Sequence, residues 1–161
     1  MGNLTAKPPQ LLAIAFVQDA RAFVESARTL ASVHRAAHLP TYFLLGQAIE
    51  LVLKAHLSAS GVSKKTLRNR IRHDIALAFR YARRCFSFTP ADARFADLAG
   101  WLALHRRDHS FRYRKTGWRP LPVASEAAEI IINTVDGVDP FVRHQFLSMR
   151  EKSRRERRHG G

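Results

Sequence analysis

Cysteine is nearly missing from this chain: Cys85 is the only one. An internal disulfide is therefore impossible, cysteine-rich zinc sites are excluded, and the composition agrees with a reducing cytoplasm. Long apolar runs are missing too. No stretch approaches the ~20 residues that would span a bilayer. The run Leu11 to Val17 is short, and Gln18, Asp19 and Arg21 interrupt it at once, which argues against a signal sequence. No internal repeat and no alternating strand pattern is present. Acidic residues are scarce: 13 Asp and Glu face 27 Lys and Arg among 161 residues, a formal charge of +14. A balance this basic favours polyanions or an acidic protein partner and says nothing about fold.

What remains is helical periodicity in a chain long enough for one domain. Residues 1–9 read as a flexible leader, 10–150 as one helical domain and 151–161 as a basic, disordered tail. The first helix is expected from about Gln10 into the mid-thirties, with Phe16, Ala20, Phe23, Ala27 and Leu30 as its apolar stripe. Leu39-Pro40 starts a second helix, which Gly61 ends. Ser63 caps a short turn, and His73-Asp74 opens a helix carrying Ile75, Ala78, Phe79 and Ala82. Thr89-Pro90-Ala91-Asp92 starts the next, with Phe95, Leu98, Trp101 and Leu102 inward. Residues 108–123 are expected to be irregular. Ser125 begins a helix that Gly137 terminates, and Asp139-Pro140 begins a last one. The fold class is all-α: four main helices in a bundle, with one or two accessory C-terminal helices.

The second helix is apolar almost all the way round. Gln47, Glu50 and Lys54 alone interrupt it, within a sector of roughly 60°. A helix so clad belongs at the centre, so Glu50 and Lys54 need partners. Glu four residues before Lys is also the favourable order for a simple pair that neutralises itself. His73 and Asp74 are the nearest candidates to extend a buried network. Asp74 can instead cap backbone N–H groups while His73 meets a neighbouring helix. If the helix includes His73, it shares a face with Arg80 and Arg84, an arrangement suited to phosphate or to acid–base chemistry. Those arginines are equally consistent with a solvated face.

In the stretch from His109 to Trp118, an extended chain sends Phe111 and Tyr113 one way and Arg112 and Arg114 the other. Aromatic and guanidinium groups so interleaved can stack a base and hold its phosphate. They can also pack back on the body, with the arginines solvated or paired to Glu50. His34/His38 and His105/His109 have metal-holding spacing, but spacing alone is weak, and neither metal nor cofactor is expected.

The sequence AIELVLKAHL (Ala48 to Leu57), then HDIAL (His73 to Leu77), then FRYRKTG (Phe111 to Gly117) resembles the HEPN superfamily over about half the chain. The likeness is to small bacterial members with an AIEL-LKA helix and an HD step. The resemblance implies an antiparallel four-helix bundle, frequent homodimers, and roles around nucleotides and RNA, some members being ribonucleases or toxins. Those ribonucleases use an Arg followed four to six residues later by a His in a late helix. Arg28/His34, Arg68/His73 and Arg154/His159 have that spacing, but 21 Arg and eight His yield about three such matches by chance. None lies in the helix after Thr89, so the catalytic pair is not carried over.

Three functions are consistent with these features. One is a binding module for nucleotide or RNA phosphates, using Arg80, Arg84, Arg112 and Arg114 with Tyr113 as a stacking surface and no strong catalysis. Another is a metal-independent ribonuclease, paired with an antitoxin or a nucleotidyltransferase-like partner, with His73 as acid–base group. The last is a dimeric scaffold for an acidic protein, its packing fixed by Glu50, Lys54, His73 and Asp74.

Overall fold

The computed structural model describes residues 8–34, 38–107 and 121–159. Every regular element among them is helical: α1 (Pro9–Val33), α2 (His38–Ala59), a short α3 (Lys64–Thr66) that runs into a π turn over Leu67–Ile71, α4 (Ile75–Phe86), α5 (Phe95–Arg107) and α6 (Ala124–His159). No helix among the described residues is long and apolar enough to cross a membrane.

α2 is the hub. It packs against α1, α4, α5 and α6, and Leu45, Ile49, Val52, Leu53 and Leu57 are fully enclosed. Its partner α1 buries Ala13, Val17, Ala20, Val24 and Ala27, whereas Phe16, Phe23 and Leu30 lie only at the margin. Of the expected stripe, Ala20 and Ala27 are buried, and its three large members lie beside the buried face. Small side chains face α2, and the two backbones approach closely.

Short-range chemistry sets the junctions. Gly61 adopts φ +93° after α2, where a Cβ would be strained. Ser63 Oγ accepts the Thr66 N–H at 3.1 Å to cap α3, and Asp74 accepts the Leu77 N–H at 2.9 Å to cap α4. α5 starts at Phe95 rather than at Thr89-Pro90. Asp92 instead closes a turn, accepting from the Arg94 backbone N–H at 2.9 Å and from its guanidinium. Those bonds to Arg94 hold the Asp92 carboxyl below its ordinary range.

The expected division at Gly137 and Pro140 is absent: α6 is one helix of 36 residues. Pro140 has no N–H for the Asp136 carbonyl, a loss that an exposed position repairs with water. Val135, Val138 and Val142 bury one continuous face across it, and that packing outweighs the local punctuation. Residues 151–159, expected as a tail, are the last turns of this helix.

An aromatic cluster joins four elements. His56 of α2 stacks on Phe141 of α6 (centroids 4.9 Å) and meets Phe88 edge-on at 5.0 Å. Phe88 and Phe79 in turn meet Phe95 of α5 at 6.0 and 5.8 Å. His56 Nε2 lies 2.9 Å from the Phe86 carbonyl, which makes that nitrogen the donor. Burial pushes the His56 pKa below its ordinary 6.5, and the carbonyl bond opposes this less strongly. As pH falls through 6.5, the unfolded chain takes up a proton that the folded imidazole refuses, so stability falls; above 6.5 the contribution is constant. Urea unfolding at pH 7.5 and pH 5 should show this loss, and His56→Gln, which keeps an N–H donor, should flatten the difference. An unchanged pH dependence in the variant would assign the loss to other groups.

Candidate functional site

Glu50 is 3% exposed, and three basic side chains converge on its carboxylate. Lys54 Nζ donates to Oε1 at 2.6 Å, one helical turn along α2. His73 Nδ1 reaches the same oxygen at 2.9 Å. Arg106, from the last turn of α5, brings Nη2 to 2.9 Å from Oε2. This last approach is an ion pair whose N–H is not aimed along the contact, since Oε2 has no aligned hydrogen bond. Lys54 and Arg106 are largely covered, with side chains 11% and 12% exposed, whereas His73 is 78% exposed. The carboxylate is therefore interior, and the imidazole reaches in from the surface.

Local structure explains each placement. Arg106 lies across α2 at Gly46, where a Cβ would stand 3.2 Å from its Cδ, and its guanidinium carbon sits 6.0 Å from the Phe43 ring centre. Phe43, Gly46 and Glu50 share one face of α2, so the glycine is the notch through which the arginine crosses. His73 is delivered by the π turn. The Arg72 N–H closes it onto the Leu67 carbonyl at 2.7 Å, and Arg72 then adopts φ +54° and ψ −117°. That conformation costs a non-glycine residue about 1–3 kcal/mol and reverses the chain sharply. π turns and such strain occur preferentially at functional positions.

The reversal builds a basic pocket. Lys54, Lys64, Arg68, Arg72 and His73 line it above Leu12, Phe16 and Leu67, and no acidic residue is among its lining groups. Its volume is about 210 Å3. This is below the ~300–1,000 Å3 of pockets that engulf a small molecule, so it has room for an anionic group and not for a whole nucleotide. Because Glu50 is an acceptor, His73 Nδ1 must carry the proton, and in the neutral ring Nε2 is then the available base. One carboxylate against Lys54 and Arg106 leaves the network positive.

The sequence-derived site residues fall into three groups. Glu50, Lys54 and His73 come together, while Asp74 stands beside them as the α4 cap. Arg80 and Arg84 are exposed on α4 and do not line the pocket. His73 precedes α4, so the shared face expected for these three residues does not form. Arg112, Tyr113 and Arg114 lie outside the described residues. Sequence reasoning missed Arg106, Lys64 and Arg72. It set Arg68/His73 aside as a chance match, yet the π turn brings both into one pocket.

Elsewhere, His34 and His38 border a cleft with Tyr42 and Pro122, and buried His105 packs on Trp101 with ring centres 4.1 Å apart. His109 lies outside the described residues. Among the described residues no three His, Cys, Asp or Glu side chains cluster as metal ligands do. The Tyr42 hydroxyl donates to the Pro122 carbonyl, and burial raises its pKa. Compared with family models, curated proteins and solved structures, the chain matches none of them.

Proposed function

We propose that this chain is a HEPN-like domain, an antiparallel four-helix bundle with accessory helices, that binds nucleotide or RNA phosphates without strong catalysis of its own. The observation that carries this reading is the pocket of Lys54, Lys64, Arg68, Arg72 and His73. Five basic groups over an apolar floor suit an oxyanion, and guanidinium pairs hold phosphate in a defined geometry. A strained Arg72 supports a functional role, because glycine would meet the same backbone demand without cost.

Titration of a labelled single-stranded RNA tests this reading. Binding should weaken steeply between about 50 and 200 mM salt, and Arg68→Gln should weaken it about tenfold. Arg72→Gly separates function from folding: affinity should fall while stability rises by about 1 kcal/mol as strain is relieved. No binding at low salt, or full affinity in Arg68→Gln, would refute it.

A second reading, metal-independent RNA cleavage, is favoured by one observation: Glu50 fixes the His73 tautomer within a pocket that also holds Arg68. His73 Nε2 would take the proton of an attacking ribose hydroxyl as its oxygen bonds to phosphorus. The arginines would stabilise the charged phosphorane, and the imidazolium would return the proton to the departing oxygen as the original P–O bond breaks. Cleavage that survives in a rigorously purified His73→Ala protein would end this reading.

A further inference from the structure

The last turns of α6 form a second basic surface that the pocket does not use. In antiparallel register, Arg21 of α1 faces Asp136 of α6 at 2.7 Å, which sets Pro9, the start of α1, about level with Ser148. Residues 149–159 therefore extend past the end of α1 by roughly 16 Å. Between Met149 and Arg158 stand six bases and two acids, and all six bases are exposed. Arg150, Arg154, Arg157 and Arg158, at i, i+4, i+7 and i+8, occupy one flank within a sector of roughly 100°. Lys152 and Arg155 occupy the other, with Glu151 between the two flanks on the outer face. The side that continues the buried stripe of α6 carries only Met149, Ser153 and Glu156.

We infer that this projecting part of α6 seats in the major groove of duplex DNA. A protruding helix with cations on both flanks fits a cleft with a phosphate wall on each side. The B-form major groove, ~12 Å wide, admits a helix of about 10–12 Å diameter. The A-form major groove is deep and too narrow for this, so an RNA duplex does not fit. Single strands are held largely by stacking on aromatic rings, and none occurs from Leu147 to Arg158. Charge complementarity comes from the arm itself and from the chain as a whole, at +14. This inference concerns a different surface and a different polymer from the pocket and stands independently of it.

The test uses the full chain against a DNA duplex of two helical turns, an RNA duplex of the same sequence and a single-stranded RNA. The combined variant Arg150→Gln, Arg154→Gln, Arg157→Gln and Arg158→Gln should weaken DNA binding at least tenfold. It should also reduce the slope of log affinity against log salt by about 3–4, from the loss of four phosphate contacts. Its thermal midpoint should stay within about 2 °C of the parent, since exposed substitutions rarely matter to stability. Arg68→Gln is read on single-stranded RNA and the fourfold variant on duplex DNA, so failure of the pocket reading and failure of this one are separable. Equal affinity for the RNA duplex, undiminished DNA binding by the fourfold variant, or no DNA binding at low salt would each overturn the inference.

Discussion

Glu50→Ala should lower the stability of the folded chain by about 3–5 kcal/mol, the usual cost of removing one partner from a buried ionic cluster. For a domain of this size that corresponds to a fall of roughly 10 °C in the thermal midpoint. The magnitude follows from what is left behind. Lys54 and Arg106 are both nearly covered, and without the carboxylate the positive charge it balances stays in the interior and draws water inward. Glu50→Gln keeps the shape and should recover little, because it is the negative charge that the two cations require. Replacing Glu50, Lys54 and Arg106 together by apolar residues of similar volume should be far less harmful than Glu50→Ala, since no uncompensated ion remains. Asp139→Ala supplies the control: its partner Arg143 is 61% exposed, and such pairs contribute about 0–1 kcal/mol. Urea unfolding with calorimetry of all four proteins decides the matter. A Glu50→Ala protein as stable as the parent would mean that the carboxylate is hydrated and the network energetically idle.

Phe95→Ala should be comparably damaging, again by about 3–5 kcal/mol, through a different mechanism. The ring is fully buried at the first turn of α5 and meets Phe79 of α4 and Phe88 of the connecting segment. Its removal leaves a void that two stiff aromatic neighbours cannot fill, so the lost transfer energy and the cavity term add. Phe95→Leu should cost much less, because most of the volume is retained. The alanine variant should also loosen the grip of α4 on α5, which near-ultraviolet circular dichroism would register as lost aromatic signal. A small stability change with that signal intact would show that the helices collapse into the space.

The sequence exposed some of this arrangement for physical reasons. Gln47, Glu50 and Lys54 form one narrow stripe on a largely apolar helix, which points to an interior stripe or a groove, and Glu50 and Lys54 follow from that. Asp74 and Ser63 were legible as caps, because a short polar side chain ahead of an apolar run has few other uses. Arg106 was not legible: it is one of 21 arginines and lies 56 residues beyond Glu50. The available signal was Gly46, a notch on the Glu50 face of a helix otherwise lined with large side chains. The π turn was hidden because Arg72 takes a positive φ that glycine or asparagine would ordinarily advertise. At Gly137 and Pro140 local propensity pointed to a break, and the buried valines on either side overruled it. The basic segment after Arg150 reads as a solvated tail by composition alone, and its helical continuation depends on being propagated from a packed helix.

The alanine- and valine-lined face of α1 reverses the customary direction of mutational harm. Most interior positions suffer from truncation, because volume is removed. At Ala13, Ala20 and Ala27 there is almost nothing to remove, and the interhelical gap is set by the absence of bulk. Enlargement is what that seam cannot absorb. Even a leucine there would wedge α1 away from the central helix and, through Leu12 and Phe16, tilt the floor on which the basic pocket rests.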